Sequence, residues 1–94
     1  MAVFLVTYKI NSPNTDRDKL TEKIKSSANG WWHYIDNVWI VNTSHEADDL
    51  AKLLYPCITK PDRLLVIGVT GEHQGWLPDK AWEWLNNNTR SSIS

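Results

Sequence analysis

Residues 31–43 decide the fold of this chain, and they read Trp-Trp-His-Tyr-Ile-Asp-Asn-Val-Trp-Ile-Val-Asn-Thr. The pair Asp36-Asn37 is typical of a tight turn, and the residues on both sides of it are aromatic or β-branched, as strands prefer. The stretch therefore predicts a β-hairpin whose strands run over 31–35 and 38–41. Because side chains alternate along a strand and neither face of this hairpin is polar, both faces of the sheet should need a cover.

Two further strands are predicted, one at the start of the chain and one after the second helix. Residues 3–10 (VFLVTYKI) and 63–70 (RLLVIGVT) are rich in aliphatic and β-branched residues, which favour strands. The second of these segments is apolar on both faces. A strand of that kind is usually buried on both sides, so we expect it in the centre of the sheet.

Helices are predicted between and after the strands. Leu20, Ile24 and Ala28 recur every four residues and indicate a first helix, capped by Thr15 or Asp16. A second helix should follow residues 43–46 (Thr-Ser-His-Glu), which have the spacing of a capping box, and it should run to about position 54. Residues 79–88 predict a short C-terminal helix.

The order β-α-β-β-α-β indicates an α+β protein with a ferredoxin-like antiparallel sheet, both helices on one face of it, and a short C-terminal helix. We expect a single domain over residues 1–88 and a disordered tail at 89–94. The other sheet face then needs the C-terminal helix, a second copy of the chain, or both. A two-fold homodimer is the commonest closed assembly, and its seam is predicted at Trp31, Trp39 and Val41.

Composition restricts the class of protein. The 94 residues are 41% hydrophobic and 22% charged, with a formal net charge of −1, which argues against a generally basic nucleic-acid coat. The single cysteine, Cys57, excludes an intramolecular disulfide and a multi-thiolate metal site, and is typical of a cytoplasmic protein. No segment approaches the roughly 20 apolar residues that span a bilayer. We expect no membrane contact, no metal and no cofactor.

Residues 6–11 (VTYKIN), the hairpin and residues 63–67 (RLLVI) resemble the small ferredoxin-like subunit of CRISPR spacer acquisition. They are more closely similar to the small bacterial and phage proteins of a SinR-like family. In the CRISPR subunit the first strand ends in Tyr-Asp, and that Asp is credited with holding a divalent metal for phosphodiester cleavage. This chain has Tyr8-Lys9 at that place, and an ammonium repels Mg²⁺ and offers it no oxygen. The resemblance implies the fold and a role in phage–host defence or counter-defence.

The function predicted from these residues is non-catalytic binding of nucleic acid or a small nucleotide. Lys9, Lys60 and Arg63 are the candidate phosphate contacts, and the candidate stacking groups are Trp32, His33 and Tyr34. The aromatic residues, His33 and Lys9 also have simpler structural interpretations. The aromatic residues fit a hydrophobic core or a dimer seam better than base stacking. His33 is more often a half-buried packing residue, although general acid/base chemistry is also open to it, and Lys9 fits a solvated strand end.

Two other functions stay open at this point. One is a metal-dependent endoribonuclease of the CRISPR small-subunit type, which Lys9 disfavours. The other is a protein–protein inhibitor module that docks through an exposed edge of the sheet. No nucleophile motif, dinucleotide motif or phosphate loop occurs in the chain.

Overall fold

A computed structural model describes residues 2–89, which form an α+β fold of one four-stranded antiparallel sheet and three helices. The strands are β1 (Ala2–Lys9), β2 (Gly30–Ile35), β3 (Val38–Thr43) and β4 (Arg63–Gly68). The helices are α1 (Arg17–Ser26), α2 (Ala47–Leu54) and α3 (Asp79–Thr89). The predicted fold class is confirmed at this level. Of the predicted disordered tail, Thr89 is the last residue of α3, and residues 90–94 lie outside the described residues.

The strand order is β2-β3-β1-β4, and each neighbouring pair is antiparallel. The prediction that residues 63–70 form a central strand is wrong, because β4 lies at an edge of the sheet. Leu64 and Val66 pack against the core beneath α1 and α2, whereas Leu65 and Ile67 are 52% and 51% exposed. An apolar sequence pattern here marks a strand with one buried face and one open face.

The hairpin turns where predicted, at Asp36-Asn37, and Asn37 has a φ of 61°, in the left-handed region that Asn tolerates. The register shifts by one residue between Trp32 and Ile35, so that Trp32 pairs with Ile40 but Ile35 pairs with Val38. This extra residue is a β-bulge, and it interrupts the strict alternation of faces that was predicted for β2.

One sheet face packs on α1 and α2. Its buried residues form the first core cluster: Phe4, Val6, Tyr8, Leu20, Ile24, Trp39, Val41, Leu50 and Leu54. Trp39 is 3% exposed and Val41 is fully buried, and the Trp39 indole N–H donates to the Tyr8 hydroxyl over 3.3 Å. This corrects the predicted seam, because both side chains are enclosed by the chain's own helices and present no surface to a partner. Of the three seam residues, only Trp31 is exposed, at 42%.

The second sheet face is covered in part by α3. The second core cluster consists of Val3, Trp32, Ile40, Ala81 and Leu85. The helix is also held to β3 by polar contacts, since the Asn42 side-chain amide donates to Asn88 Oδ1 over 2.7 Å. The C-terminal helix therefore packs on its own chain. It does not reach Leu65 and Ile67, which belong to neither core cluster.

Asp62 ties the loop after β1 to the loop before β4. Its carboxylate accepts hydrogen bonds from the backbone N–H groups of Asn11, Ser12 and Thr59 and from the hydroxyls of Thr15 and Thr59. Asp62 is only 6% exposed. These donors, led by the Thr15 hydroxyl, hold the pKa of the carboxyl well below its ordinary value of 3.8 because they favour its charged form.

The two helix starts differ from each other. Of the two predicted caps of α1, Thr15 and Asp16, it is Asp16 that accepts from the N–H groups of Asp18 and Lys19. The predicted capping box of α2 is wrong. Thr43 is the last residue of β3, and its hydroxyl donates to Ser27 O and accepts from the N–H of His45. Glu46 is the N-cap residue of α2, and its side chain makes no capping hydrogen bond.

Acid should destabilise this fold through Asp62. Its folded-state pKa is depressed, so its contribution to stability is complete above the unfolded-state pKa of about 3.9 and is lost as pH falls from there toward the folded-state value. Urea unfolding across pH 2–6 should show a steeper acid loss for the wild type than for Asp62→Asn. Asp36→Asn, at the exposed hairpin turn, should follow the wild-type curve. Parallel curves for wild type and Asp62→Asn would contradict this role.

Trp39 should be a stability determinant. Trp39→Ala removes a large buried ring and should lower the free energy of unfolding by about 3–5 kcal/mol. The matched control is Trp76→Ala, because Trp76 is 99% exposed and its truncation should change stability by less than about 0.5 kcal/mol. Chemical denaturation of both variants measures this difference, and similar values for the two would refute the buried role of Trp39.

Candidate ligand-binding groove

A groove of about 650 Å³ lies between β2 and α3. We call it the aromatic groove. Its β2 wall is Trp31, Trp32, His33 and Tyr34, and its α3 wall is Lys80, Glu83, Trp84 and Asn87. A volume of this order is within the range of small-molecule sites in proteins.

The aromatic groove runs along the outer edge of β2. Trp31 pairs with Val41 of the first core cluster, and Trp32 pairs with Ile40 of the second, so the two tryptophans belong to opposite sheet faces. A cavity that touches both must lie at the strand edge. Within residues 2–89, β2 pairs only with β3, so this edge has no neighbouring strand. The groove therefore combines aromatic side chains with unpaired backbone groups.

The opposite wall is one face of α3. Positions 80, 83, 84 and 87 have the i, i+3, i+4, i+7 spacing of residues that share a helix face, next to the buried Ala81 and Leu85. A Cβ added to Gly30 would lie 3.8 Å from the Trp84 ring, so Trp84 stands against the start of β2. The packing of α3 on the second core cluster thus sets the width of the groove.

His33 is held in one orientation. Its ring stacks on Trp39, with centroids 4.0 Å apart and planes 4° from parallel, and its Nδ1 lies 2.9 Å from Val38 O. Because a carbonyl oxygen only accepts, Nδ1 carries the proton. In the neutral ring Nε2 then has a free lone pair. His33 is exposed and is one of the residues that line the aromatic groove.

Three aromatic side chains of the groove wall are open to solvent to different degrees. Trp31 is 42% and Tyr34 is 46% exposed, and Trp84 is partly buried. The Lys25 ammonium lies 5.1 Å from the centroid of Trp31, which is cation–π distance. Flat, exposed rings beside a cation are suited to stacking against a planar ligand that carries negative charge.

Trp32 forms the floor of the groove and does not stack as predicted. It is 4% exposed, it belongs to the second core cluster, and its ring contacts Tyr34 edge-on at 5.3 Å between centroids. Its indole N–H is buried and has no hydrogen-bond partner within residues 2–89. A buried donor without a partner costs free energy, so Trp32 carries a local penalty at this position.

The predicted phosphate contacts lie elsewhere. Lys9 and Arg63 are cross-strand partners at one end of β1 and β4, beside a shallow cavity of about 360 Å³, and Lys60 is exposed in the turn before β4. From β2, β1 is two strands away and β4 three, or about 10 and 14 Å at the usual strand spacing. The structure brings Lys9 together with Arg63, and Trp32 together with His33 and Tyr34, but it separates the two groups.

Four groove residues were missed by the sequence reasoning: Lys80, Glu83, Trp84 and Asn87. Their helical spacing was visible in the sequence. What it did not show was the strand against which α3 packs, and that contact turns a helix face into the wall of a groove.

Residues 2–89 contain no group of three or more His, Cys, Asp or Glu side chains placed to hold a metal ion. No helix in this range is long and apolar enough to cross a bilayer.

The tautomer of His33 is testable by NMR. In the neutral ring, long-range ¹H–¹⁵N spectra should place the proton on Nδ1, because Val38 O accepts from it. Replacing Trp39 by Leu should remove the stacking partner and allow both tautomers. A spectrum of the wild type with the proton on Nε2 would contradict the orientation derived above.

Comparison of the chain with protein-family models, with curated proteins and with solved structures finds no match, so the candidate site rests on the geometry of this chain.

Proposed function

We propose that this protein binds a nucleobase-bearing ligand, either single-stranded nucleic acid or a nucleotide, in the aromatic groove. The observation that carries the proposal is the half-exposed side chains of Trp31 and Tyr34 in a groove of about 650 Å³ that Trp84 also lines. Stacking of a base on such a ring contributes about 1–3 kcal/mol and tolerates any base, because every base has a π face.

The polar residues of the groove suit the rest of such a ligand. Lys80 supplies a cation for a phosphate, while Glu83 accepts from base N–H groups and Asn87 both donates and accepts. One cation and one anion nearly cancel, so we expect ring stacking rather than net charge to provide most of the affinity. This agrees with a formal net charge of −1 for the whole chain.

The proposal is binding without catalysis. Lys9 stands across from Arg63 at the end of β1, and two cations there disfavour a metal ion. The metal-dependent endoribonuclease therefore remains the less favoured alternative, and Mg²⁺-dependent RNA cleavage that EDTA abolishes would establish it.

We further propose a ferredoxin-like fold for this chain. The element order β-α-β-β-α-β and the strand order β2-β3-β1-β4 support it. We also propose a cytoplasmic location, because the chain has a single cysteine, Cys57. A role in phage–host defence or counter-defence is proposed on the sequence resemblance.

A second candidate function is recognition of an extended peptide. The outer edge of β2 is unpaired within residues 2–89 and lies beside the same groove. A peptide strand could add to this edge through its main chain and place alternate side chains among the aromatic rings. This is the inhibitor-module alternative, and the unpaired edge of β2 supports it.

Binding is tested by calorimetric titration with mixed-sequence single-stranded RNA and with the four ribonucleoside monophosphates. Trp31→Ala should weaken binding about 5- to 150-fold, the equivalent of one lost stacking contact. Trp76→Ala is the matched control, because it makes the same chemical change at a 99% exposed residue outside the groove wall. Lys80→Gln should lower the salt dependence of binding, because one phosphate contact is removed.

The outcomes separate the candidates. No binding of any of these probes, or equal loss in Trp31→Ala and Trp76→Ala, would refute the nucleobase proposal. Strand addition would instead appear as slowed amide exchange at the outward-facing N–H groups of β2 when a peptide is bound, since only main-chain pairing protects them.

A further inference from the structure

The edge strand β4 lacks the usual protection of a sheet edge. It pairs only with β1 within residues 2–89, and its six residues contain no proline, no bulge and a single charge, Arg63, at its first position. Natural sheets usually protect such edges with lysines, prolines, bulges or a covering segment, because unpaired backbone groups readily accept another strand. An apolar edge strand without such protection indicates a site where another strand pairs with β4.

One hydrogen bond shows which backbone groups of β4 point toward β1 and which point to the free edge. The N–H of Val69 donates to Val3 O over 2.9 Å, so the backbone groups of Val69 point toward β1. Direction alternates along a strand, and positions 63, 65 and 67 therefore also point toward β1. The N–H and C=O groups of Leu64, Val66 and Gly68 point outward, at the free edge.

The side chains of β4 alternate between the two faces of the sheet. Leu64 and Val66 pack on the first core cluster, so Leu65 and Ile67 lie on the other sheet face. They are 52% and 51% exposed, because α3 covers the part of that face near β2 and β3. An open backbone ladder and two neighbouring exposed aliphatic side chains thus coincide at the same edge.

We propose that β4 pairs with β4 of a second copy of this chain, antiparallel about a two-fold axis through Val66. The outward groups of the two Val66 residues then hydrogen-bond to each other, and those of Leu64 bond to those of Gly68 in the second copy. Leu65 faces Ile67 of the second copy in a non-hydrogen-bonded pair, where side chains approach most closely. The result is a continuous eight-stranded sheet with four aliphatic side chains packed across the axis.

Charge complementarity favours a second copy over an unrelated strand. Lys60 and Arg63 lie at the start of β4, and Glu72 lies beyond its end. An antiparallel two-fold pair brings the basic end of one copy to the acidic end of the other. It also separates the two Arg63 residues by six strand positions, about 20 Å, so their repulsion is screened. The aromatic groove lies at the opposite edge, so this inference does not depend on the proposed ligand.

Sedimentation equilibrium over a wide concentration range tests the proposal. A short strand interface is small, so we expect a reversible dimer whose fraction rises with concentration. The double variant L65K/I67K places an ammonium opposite an ammonium across the axis and should be monomeric. The variant L65E/I67K places a carboxylate opposite an ammonium in the same register and should dimerise more strongly than L65K/I67K. Ile35→Lys, at an exposed residue of the other edge strand, is the control and should leave the dimer intact.

Amide hydrogen exchange reads the register directly. The amides of Leu64, Val66 and Gly68 should become protected as concentration rises, while those of Leu65 and Ile67 are protected at every concentration by their bonds to β1. A wild-type monomer at all concentrations would overturn the proposal. A dimer that survives L65K/I67K, or one that Ile35→Lys alone dissociates, would overturn it as well.

Discussion

The constraint on which this structure depends is a sheet that is apolar on both faces. Apolar surface of this kind is stable only when it is removed from water, and a single layer of helices covers one face. α1 and α2 bury Trp39 and Val41 on that face, and the second face holds Trp32 and Ile40. The chain therefore has to continue past β4 into α3, which supplies Ala81 and Leu85 as the second cover.

The position of α3 creates the features that we connect with function. The helix lies against β2, so its outer face and the edge of β2 enclose the aromatic groove. It packs on Val3, Trp32 and Ile40, so the β4 side of the same face stays open, at Leu65 and Ile67. The aromatic groove at β2 and the open edge at β4 both arise because α3 covers only part of this sheet face. They lie at opposite edges of the sheet.

Polar contacts determine where the connecting loops lie. The Asp62 carboxylate accepts hydrogen bonds from the loop after β1 and from the turn before β4. One carboxylate therefore joins segments about 50 positions apart in sequence. Asn37, at the hairpin turn, accepts from both the Thr7 hydroxyl and the Tyr8 N–H through its carbonyl oxygen. These bonds hold the end of β1 beside the start of β4, where Lys9 and Arg63 are cross-strand partners.

Local structure follows from the pattern of residues: the turn at Asp36-Asn37, a helix cap at Thr15 or Asp16, the helical spacing of Leu20 and Ile24, and hence the α+β class. These signals act between residues close in the chain. The tertiary structure alone decided the strand order and the packing of α3. Alternation shows that two faces are apolar but not which neighbour covers each. For that reason the edge position of β4, the burial of Trp39 and the groove wall at Lys80 and Trp84 were not predictable from the pattern of residues.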